Sequence, residues 1–407
     1  MLRIALVFLA APLAAAADWP QFRGTTGDGH YVGPALVTEW GPDTNGAWKT
    51  SVPGKGWSSP IVSKGKVYLT TAVPKGDGQS LRAACLDAAS GKIDWDLEVL
   101  AASKDQASKM HGKNSHASPT PTTDGERLYV HFGHMGTAAL DLTGKVLWTR
   151  TDLYEKPLHG NGGSPLLVDG LLVFSCDGLD KQFVIALDAK TGTTVWETPR
   201  HKKASKPFSF GTPTVVEVDG QKQIVSEGSD VLAGYDPRTG KELWRTTFTG
   251  YSVIPKPVVG QGMVFFSTSF DSAKLKAVKL GGSGDVTASH AAWTLDKGAP
   301  HTASPLLVGD ELYVVSDRGQ FSCVDAKTGA LVWDDKLRGN YSASPIVANN
   351  LIYLTSEEGK GTLIKAGRKK EIVGEFDMKE KTFASFAAAD GALYVRTESR
   401  LYKFARR

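Results

Sequence analysis

The chain contains few cysteines. Its 407 residues include three, Cys85, Cys176 and Cys323, and no two of them are adjacent. An odd number of scattered cysteines provides no disulfide framework. We therefore expect three buried free thiols that serve as small apolar side chains, rather than a disulfide or a redox centre.

An excess of charge of one sign is also missing. With 47 Lys and Arg against 43 Asp and Glu, the formal net charge is +4. The basic runs at 201–203 and 368–370 are short and lie between turn signals. This pattern is typical of solvated loops, and it argues against nucleic acid as a partner.

Long apolar runs are rare, and none is long enough to span a bilayer. The run Ile4–Leu13 follows Arg3 and precedes a small-residue site at 15–17. This order is typical of a secretory signal peptide. We expect residues 1–17 to be that signal peptide and residues 18–407 to form one exported, soluble domain in the periplasm or outside the cell.

Familiar catalytic motifs are missing as well. The sequence has no HExxH metal motif, no GxSxG nucleophile turn and no phosphate-cradling glycine motif. His131 and His134 lie on or beside an apolar strand, and we expect both to have structural roles. The sequence therefore points away from the commonest hydrolytic chemistries.

The sequence does contain internal repeats. The string ALDAKTGTTVW at 186–196 recurs as GYDPRTGKELW at 234–244 and CVDAKTGALVW at 323–333, and altered copies occupy 85–95 and 139–148. Ser-Pro or Thr-Pro pairs recur between the copies, with prolines at 60, 119, 165, 213, 305 and 345. A period of roughly 40–50 residues is in the range of a propeller blade.

Each copy is expected to fold as one blade of four antiparallel strands. In the third copy the strands are expected at 163–168, 171–176, 183–187 and 194–198. Asp188 and Gly192 provide turn residues between the third and fourth strands. The tryptophan of the outer strand is an apolar anchor that packs between neighbouring blades.

The number of anchor aromatic residues indicates the number of blades. The anchors are Trp95, Trp148, Trp196, Trp244, Trp293 and Trp333, with Phe376 in the seventh copy. An eighth copy has three strands, so we expect residues 47–52, with Trp48 as anchor, to supply the fourth. This predicts an all-β, eight-bladed propeller of four-stranded antiparallel blades, closed by an N-terminal strand that completes the C-terminal blade.

The Asp-x-x-x-Gly-x-x-x-Trp signature, the Ser-Pro strand starts and the string DWPQFRG at 18–24 resemble the pyrroloquinoline-quinone-like (PQQ-like) propeller repeats. That superfamily includes the quinoprotein alcohol dehydrogenases and the outer-membrane assembly lipoprotein BamB. The resemblance covers nearly the whole chain after residue 17, and it is greatest to exported BamB-like bacterial proteins. It implies the fold and says little about activity.

In such a ring the first strands line the axis, so the residues before them should surround the mouth of a central funnel. The turns after the second strands lie on the same face, further out. The expected mouth residues are Lys113, Asn114, His116, His159, Asn161, Phe208, Phe210, Tyr251, His301, Asn340 and Tyr341, and the acidic turns add Asp177, Asp271, Asp317 and Glu357. The loops that end at Pro119, Pro165 and Pro213 are the longest, so binding should favour that side.

The function favoured by the sequence is a non-catalytic scaffold that binds a partner protein in the cell envelope, as the BamB resemblance implies. We expect it to need no cofactor and to be a monomer. The first cysteine, Cys85, is far from the expected cleavage site. We therefore expect no lipid anchor, and the role in a membrane-bound machine is not carried over.

Two alternatives stay open. A quinoprotein dehydrogenase would hold PQQ and calcium, and Asp271 or Asp317 with Asn161 or Asn340 could hold the ion. The resemblance also implies a pair of adjacent cysteines in such enzymes, which this chain lacks. The third possibility is a small ligand or a metal ion in the funnel, for which His159 and His301 are the best candidates.

Overall fold

The strands of this protein are grouped into separate four-stranded units. A computed structural model describes residues 18–108, 110–201, 204 and 206–406. In that part of the chain the strands form eight sheets, each built on four antiparallel strands, and the first strands of neighbouring sheets contact one another around a common axis. The predicted eight-bladed propeller is confirmed.

Blades 1 to 7 are built in chain order, with the innermost strand first. Blade 1 comprises Ile61–Ser63, Lys66–Lys75, Gly78–Asp87 and Ile93–Ala102, and blade 2 comprises Thr122–Thr123, Arg127–His131, Thr137–Asp141 and Val146–Arg150. Blade 3 comprises Leu166–Val168, Leu171–Asp177, Gln182–Asp188 and Thr194–Pro199. Blade 4 comprises Thr214–Val218, Gln221–Gly228, Val231–Tyr235 and Glu242–Thr247. Blade 5 comprises Val258–Gly260, Met263–Ser267, Leu275–Lys279 and Ala291–Leu295. Blade 6 comprises Leu306–Val308, Glu311–Val315, Gln320–Asp325 and Leu331–Lys336. Blade 7 comprises Ile346–Ala348, Leu351–Thr355, Lys360–Lys365 and Ile372–Asp377.

Blade 8 contains strands from both ends of the described chain. Its inner strands are Ala387–Ala389, Ala392–Arg396 and Arg400–Ala405. The fourth strand is Gly46–Ser51, which pairs antiparallel with the third, so that Trp48 lies opposite Lys403. The predicted closure of the ring by an N-terminal strand is confirmed.

A few short elements lie outside this scheme. His30–Tyr31 pairs in parallel with the inner strand of blade 7, and Gly284–Asp285 pairs in parallel with the outer strand of blade 4. In the described residues, helical structure is limited to Lys104–Ala107 and the 3₁₀ turn Gly133–Met135. None of these helices has the length and apolar character needed to cross a membrane.

The repeat signature has a physical origin in the contact between successive blades. In blade 3 the carboxylate of Asp188 accepts hydrogen bonds from the backbone N–H and the hydroxyl of Thr191, which fixes the turn. Gly192 has φ +74°, and a Cβ there would lie 2.6 Å from the indole ring of Trp148 in blade 2. That indole N–H donates to the carbonyl oxygen of Ala189 at 3.1 Å. The anchor of one blade thus packs on the turn of the next.

The other anchors follow this rule with two exceptions, Trp244 and Phe376. The indole N–H groups that donate to a backbone carbonyl of the next blade also include those of Trp48, Trp95, Trp196, Trp293 and Trp333. Trp244 instead donates to Gln223 of its own blade. In blade 7, Phe376 packs against Trp40 with ring centroids 4.2 Å apart.

A ring of hydroxyl groups joins the blades at the axis. One Ser or Thr at the entrance of a first strand accepts a hydrogen bond of 2.8–3.2 Å from the backbone N–H of its counterpart in the preceding blade. The acceptors are Ser59, Thr120, Ser164, Thr212, Ser304, Ser344 and Ser385 in blades 1, 2, 3, 4, 6, 7 and 8. Lys256 holds the equivalent position in blade 5. In blade 2 the strand-start pair is Thr120-Pro121, two residues beyond the predicted Ser118-Pro119.

The cysteines and two of the histidines are part of the blades. All three cysteines are free and buried, as expected. The Nδ1 atom of His131 lies 2.7 Å from the Thr137 hydroxyl, and the Nε2 atom of His134 lies 2.8 Å from the carbonyl oxygen of Gln106. These contacts agree with structural roles for both histidines.

The hydroxyl ring makes a testable contribution to stability. Ser344→Ala removes the acceptor for the buried N–H of Ser304. We expect the free energy of unfolding, measured with urea, to fall by about 1–3 kcal/mol, because a buried donor is left without its partner. Exposed Ser272→Ala is the matched control, and its effect should stay within about 0.5 kcal/mol. Equal effects of the two substitutions would contradict the role of the ring.

Candidate functional site

A cavity of about 820 Å³ lies on the axis of the ring. All seven hydroxyl residues of the ring lie on its wall, so the contacts that join the blades also line the cavity. The loops that enter the first strands surround one end of it. We call the face of the propeller that carries these loops the rim face.

Residues 18–31, which we call the floor segment, form the other end of the cavity. The backbone of Trp19 pairs with blade 1, the guanidinium of Arg23 donates to the carbonyl oxygen of Pro305 in blade 6, and the N–H of Gly391 in blade 8 donates to the Tyr31 hydroxyl. The segment therefore crosses the ring. It places Phe22 on the cavity wall.

About half of the residues predicted for the funnel line this cavity. They are Lys113, Asn114, His159, Phe208, Phe210, Tyr251 and Asp317. Their loops precede the first strands of blades 2, 3, 4 and 5, or follow the second strand of blade 6. Rigid strands thus present polar and aromatic groups from many parts of the sequence to one space.

The loops that precede blades 2 and 3 are joined at the rim. The carbonyl oxygen of His159 accepts hydrogen bonds from the N–H of His111 at 3.2 Å and from the side-chain amide of Asn114 at 2.9 Å. The two imidazole rings are 5.5 Å apart. Burial, and next the neighbouring His111, lower the pKa of His159, so its imidazole is neutral at neutral pH.

Lys113 carries a positive charge across the mouth of the cavity. Its ammonium lies 2.8 Å from a carboxylate oxygen of Glu357 in blade 7 and 3.8 Å from one of Asp317 in blade 6. Asp317 also accepts hydrogen bonds from the N–H groups of His301 and Thr302. This network ties the loop of blade 2 to the opposite side of the ring.

Aromatic side chains form the side of the mouth next to blades 4 and 5. Phe208 and Phe270 contact the ring of Tyr251, with centroids 5.6 and 6.1 Å away. The ammonium of Lys206 lies 3.7 Å from the centroid of that ring, a cation–π contact. Phe270 is 48% exposed, and it is the one aromatic residue among the exposed large apolar side chains of the described residues.

The prediction that Asp177 lies at the funnel mouth is corrected by the structure. Asp177 is buried and forms a two-pronged ion pair with Arg200, at 3.1 and 2.8 Å. Arg200 also donates to the carbonyl oxygen of Glu227 in blade 4. Sequence reasoning missed this pairing, because Arg200 follows the fourth strand of the blade, whereas Asp177 ends the second. Asp177 therefore joins two blades.

The remaining predicted residues do not reach the cavity wall. His116 and Asn161 bond to the backbone of Ala107 and Gly163. Asn340 bonds to Glu358, and buried Tyr341 donates to the carbonyl oxygen of Arg338. Asp271, His301 and Glu357 are one contact away, beside Tyr251, Phe270 and Lys113.

Several residues of the wall were not predicted. The position two residues before the hydroxyl ring lines the cavity in every blade. Its occupants are Phe210, which was predicted, and Trp57, Ser118, Gly162, Ile254, Thr302, Ser342 and Phe383, which were not. The signal that could have identified this set is its fixed distance from the strand-start pair of each blade, with Thr120-Pro121 as the pair in blade 2. Phe22, Lys206 and Phe270 had no such signal, because they depend on loops that do not repeat.

The residues on the wall do not fit a quinone with calcium. In the described chain, no group of three His, Cys, Asp or Glu residues could hold a metal ion. Asp317 is the one predicted calcium ligand on the wall, and backbone N–H groups and Lys113 already occupy its oxygens. Asn161 and Asn340 bond elsewhere, and the buried cysteines are not adjacent. The donors for that chemistry are therefore not assembled.

The fold and the repeated blade contacts define this protein as a PQQ-like propeller. The family model described as "Outer membrane protein assembly factor BamB" matches residues 22–178, 180–279 and 282–391. The chain belongs to this family.

Known relatives carry the same description at low identity. The outer membrane protein assembly factor BamB of Yersinia pestis is 24% identical over 214 residues, which are 48% of this chain and 52% of the relative. That of Burkholderia pseudomallei is 25% identical over 296 residues, 69% of this chain and 66% of the relative. This chain therefore spans about half to two thirds of the length of these relatives.

Solved structures show the same fold. BamB from Moraxella catarrhalis superimposes with a TM-score of 0.60 at 13% identity, over 89% of this chain and 99% of that one. A europium-containing methanol dehydrogenase gives 0.72 at 12% identity, over 96% and 98%. At such identities the likeness concerns the fold alone.

The buried ion pair makes a prediction that separates structure from function. Asp177→Asn removes the carboxylate that pairs with the buried guanidinium of Arg200, so the free energy of unfolding should fall by about 3–5 kcal/mol. The control is Asp271→Asn, which removes an exposed carboxylate of the rim face and should cost about 1 kcal/mol or less. Urea denaturation followed by tryptophan fluorescence measures both. A small effect of Asp177→Asn would contradict its role between the blades.

Proposed function

We propose that this protein is a non-catalytic scaffold for outer-membrane protein assembly, and that its rim face holds a partner protein of the cell envelope. The proposal rests on its family and on the description of its relatives as outer membrane protein assembly factors. The observation that carries it is the mouth of the cavity, where an exposed Phe270 lies among loops held rigid by hydrogen bonds and ion pairs.

The mouth of the cavity is rigid, which favours the binding of a partner. The bonds from His111 and Asn114 to His159 and the ion pairs of Lys113 fix the loops before a partner arrives. A preformed surface loses little conformational entropy on binding. The carboxylates of Glu357 and Asp317 are engaged by Lys113 in the same contacts.

The composition of the wall indicates what the partner presents. Apolar residues two positions before the hydroxyl ring, such as Trp57 and Phe383, offer surface to an aromatic or aliphatic side chain. The hydroxyl groups deeper in the cavity can bond to polar backbone groups. A volume of about 820 Å³ falls within the range of roughly 300–1,000 Å³ typical of binding pockets. We infer that a partner segment inserts one or two apolar side chains there.

Site-specific crosslinking in the native envelope tests the proposal. A photoreactive phenylalanine analogue at position 270 should crosslink to an outer-membrane protein or to a component of its assembly machinery, identified by mass spectrometry. The control position is Asp219, exposed in the turn of blade 4 on the opposite face, which should yield no such product. Phe270→Ala should lower the yield from a second analogue at position 206 by about tenfold, the cost of a truncated anchor.

Three results would overturn the proposal. These are equal products from both faces, products that contain no outer-membrane or assembly protein, and unchanged yield after Phe270→Ala in a folded variant. A separate assay addresses the quinoprotein alternative. Purified protein incubated with PQQ and calcium should retain no quinone absorbance after gel filtration and should show no alcohol-dependent dye reduction.

A further inference from the structure

Lys256 interrupts the hydroxyl ring. It occupies the position that a Ser or Thr holds in the other seven blades, and its N–H donates to Ser304 in the next blade. An ammonium cannot accept the hydrogen bond that a hydroxyl would accept from Thr212. With a lysine at this position, the ring lacks the hydrogen bond between blades 4 and 5. The lysine must therefore have another role.

The side chain of Lys256 lines a second pocket, separate from the central cavity. This pocket has a volume of about 280 Å³, against about 30 Å³ for one water molecule in the liquid. It lies between the floor segment and blades 3 to 5, on the face opposite the rim. Exposed Thr25, Thr26 and Lys222 line it, so it connects to solvent.

Two buried cations lie beside this pocket without a matching buried anion. Lys256 is 2% exposed and Arg23 is 1% exposed. Arg23 donates to backbone carbonyl groups of Pro305 and Asp28, which carry no net charge. The ammonium of Lys256 has no hydrogen-bond or ion-pair partner in the described chain, and a Cβ at Gly27 would lie 2.4 Å from it.

The charged groups near the ammonium leave this imbalance in place. On the floor segment, the positive charge of Arg23 disfavours the charged form of Lys256, whereas the half-buried carboxylate of Asp28 favours it. Asp28 is engaged by the Thr26 hydroxyl and the N–H of His30. In the wall formed by blades 3 and 4, Asp169 is paired with Lys222. A buried charge without a partner is costly, and either loss of the proton or a bound anion relieves that cost.

We propose that this pocket binds a small oxyanion, a carboxylate or a phosphate-like tetrahedral group, through the ammonium of Lys256. The hydroxyl of Thr214 and the amide of Gln21 lie on the same wall and offer further hydrogen bonds. Because the pocket lies under the floor segment, the bound anion links that segment to blades 3, 4 and 5. The site is independent of the rim face.

This site should respond to pH. Burial, and next the positive charge of Arg23, lower the pKa of Lys256 to about 7. Below pH 7 the amine is charged and attracts an oxyanion, and above it the charge is lost. Affinity should therefore fall as the pH rises through 7.

Isothermal titration with sulfate and with acetate tests the proposal, because neither probe changes its charge between pH 6.0 and 8.5. At constant ionic strength, at least one should bind at pH 6.0 and bind about tenfold or more weakly at pH 8.5. Sulfate binding indicates a phosphate-like ligand, and acetate binding a carboxylate. Lys256→Met and Lys256→Ser should abolish binding, whereas exposed Lys92→Met should leave it unchanged.

Lys256→Ser keeps the test valid if the methionine variant does not fold. The serine offers Thr212 the acceptor that its counterparts have, so this variant should fold and unfold at a higher urea concentration than the wild type. Several results would overturn the proposal. They are no saturable binding of either probe at pH 6.0, binding that persists in Lys256→Ser, and affinity that does not depend on pH.

Discussion

The hydrogen bond from a backbone N–H of one blade to a hydroxyl of the next is the interaction on which the structure depends. A blade of four strands cannot bury its own faces, so it is stable only between two neighbours. The hydroxyl ring fixes the spacing of the blades at the axis, where the first strands are three to five residues long in most blades. The tryptophan anchors fix the spacing at the periphery. Between these two sets of contacts the blades have little freedom, and the cavity acquires a defined shape.

The junction between blades 4 and 5 departs from both sets of contacts. The ring has Lys256 there, and Trp244 bonds within its own blade. Other contacts compensate. The N–H of Phe210 donates to the carbonyl oxygen of Val253, and Gly284–Asp285 covers the outer strand of blade 4. The aromatic side of the rim lies at this junction. The repeated contacts between blades are thus replaced at the junction that carries the aromatic side chains of the rim face.

The sequence was sufficient for the architecture because the repeat encodes local contacts. Asp188, Gly192 and Trp148 act within one turn and its neighbour, and their recurrence counts the blades. The same reasoning predicted that Gly46–Ser51 would complete blade 8. The lining of the cavity was predicted only in part, because it depends on the exact register of each loop. In blade 2 the strand-start pair lies two residues beyond the predicted one, and in most other blades the wall position two residues before the hydroxyl ring was not among the predicted residues. Asp177 was misplaced because its partner, Arg200, is brought to it only by the fold.

The floor segment and the closing strand Gly46–Ser51 belong to the same part of the chain, yet they contact the last blades to be synthesised. During synthesis this part of the chain emerges early, and its contacts with blades 6 to 8 cannot form until those blades exist. The groups that make these contacts must remain solvated or be protected by other factors throughout that interval. The ring therefore closes in a late step that joins sequence-distant strands, and such steps are slow. The period before closure is when this protein is most exposed to proteases and to aggregation.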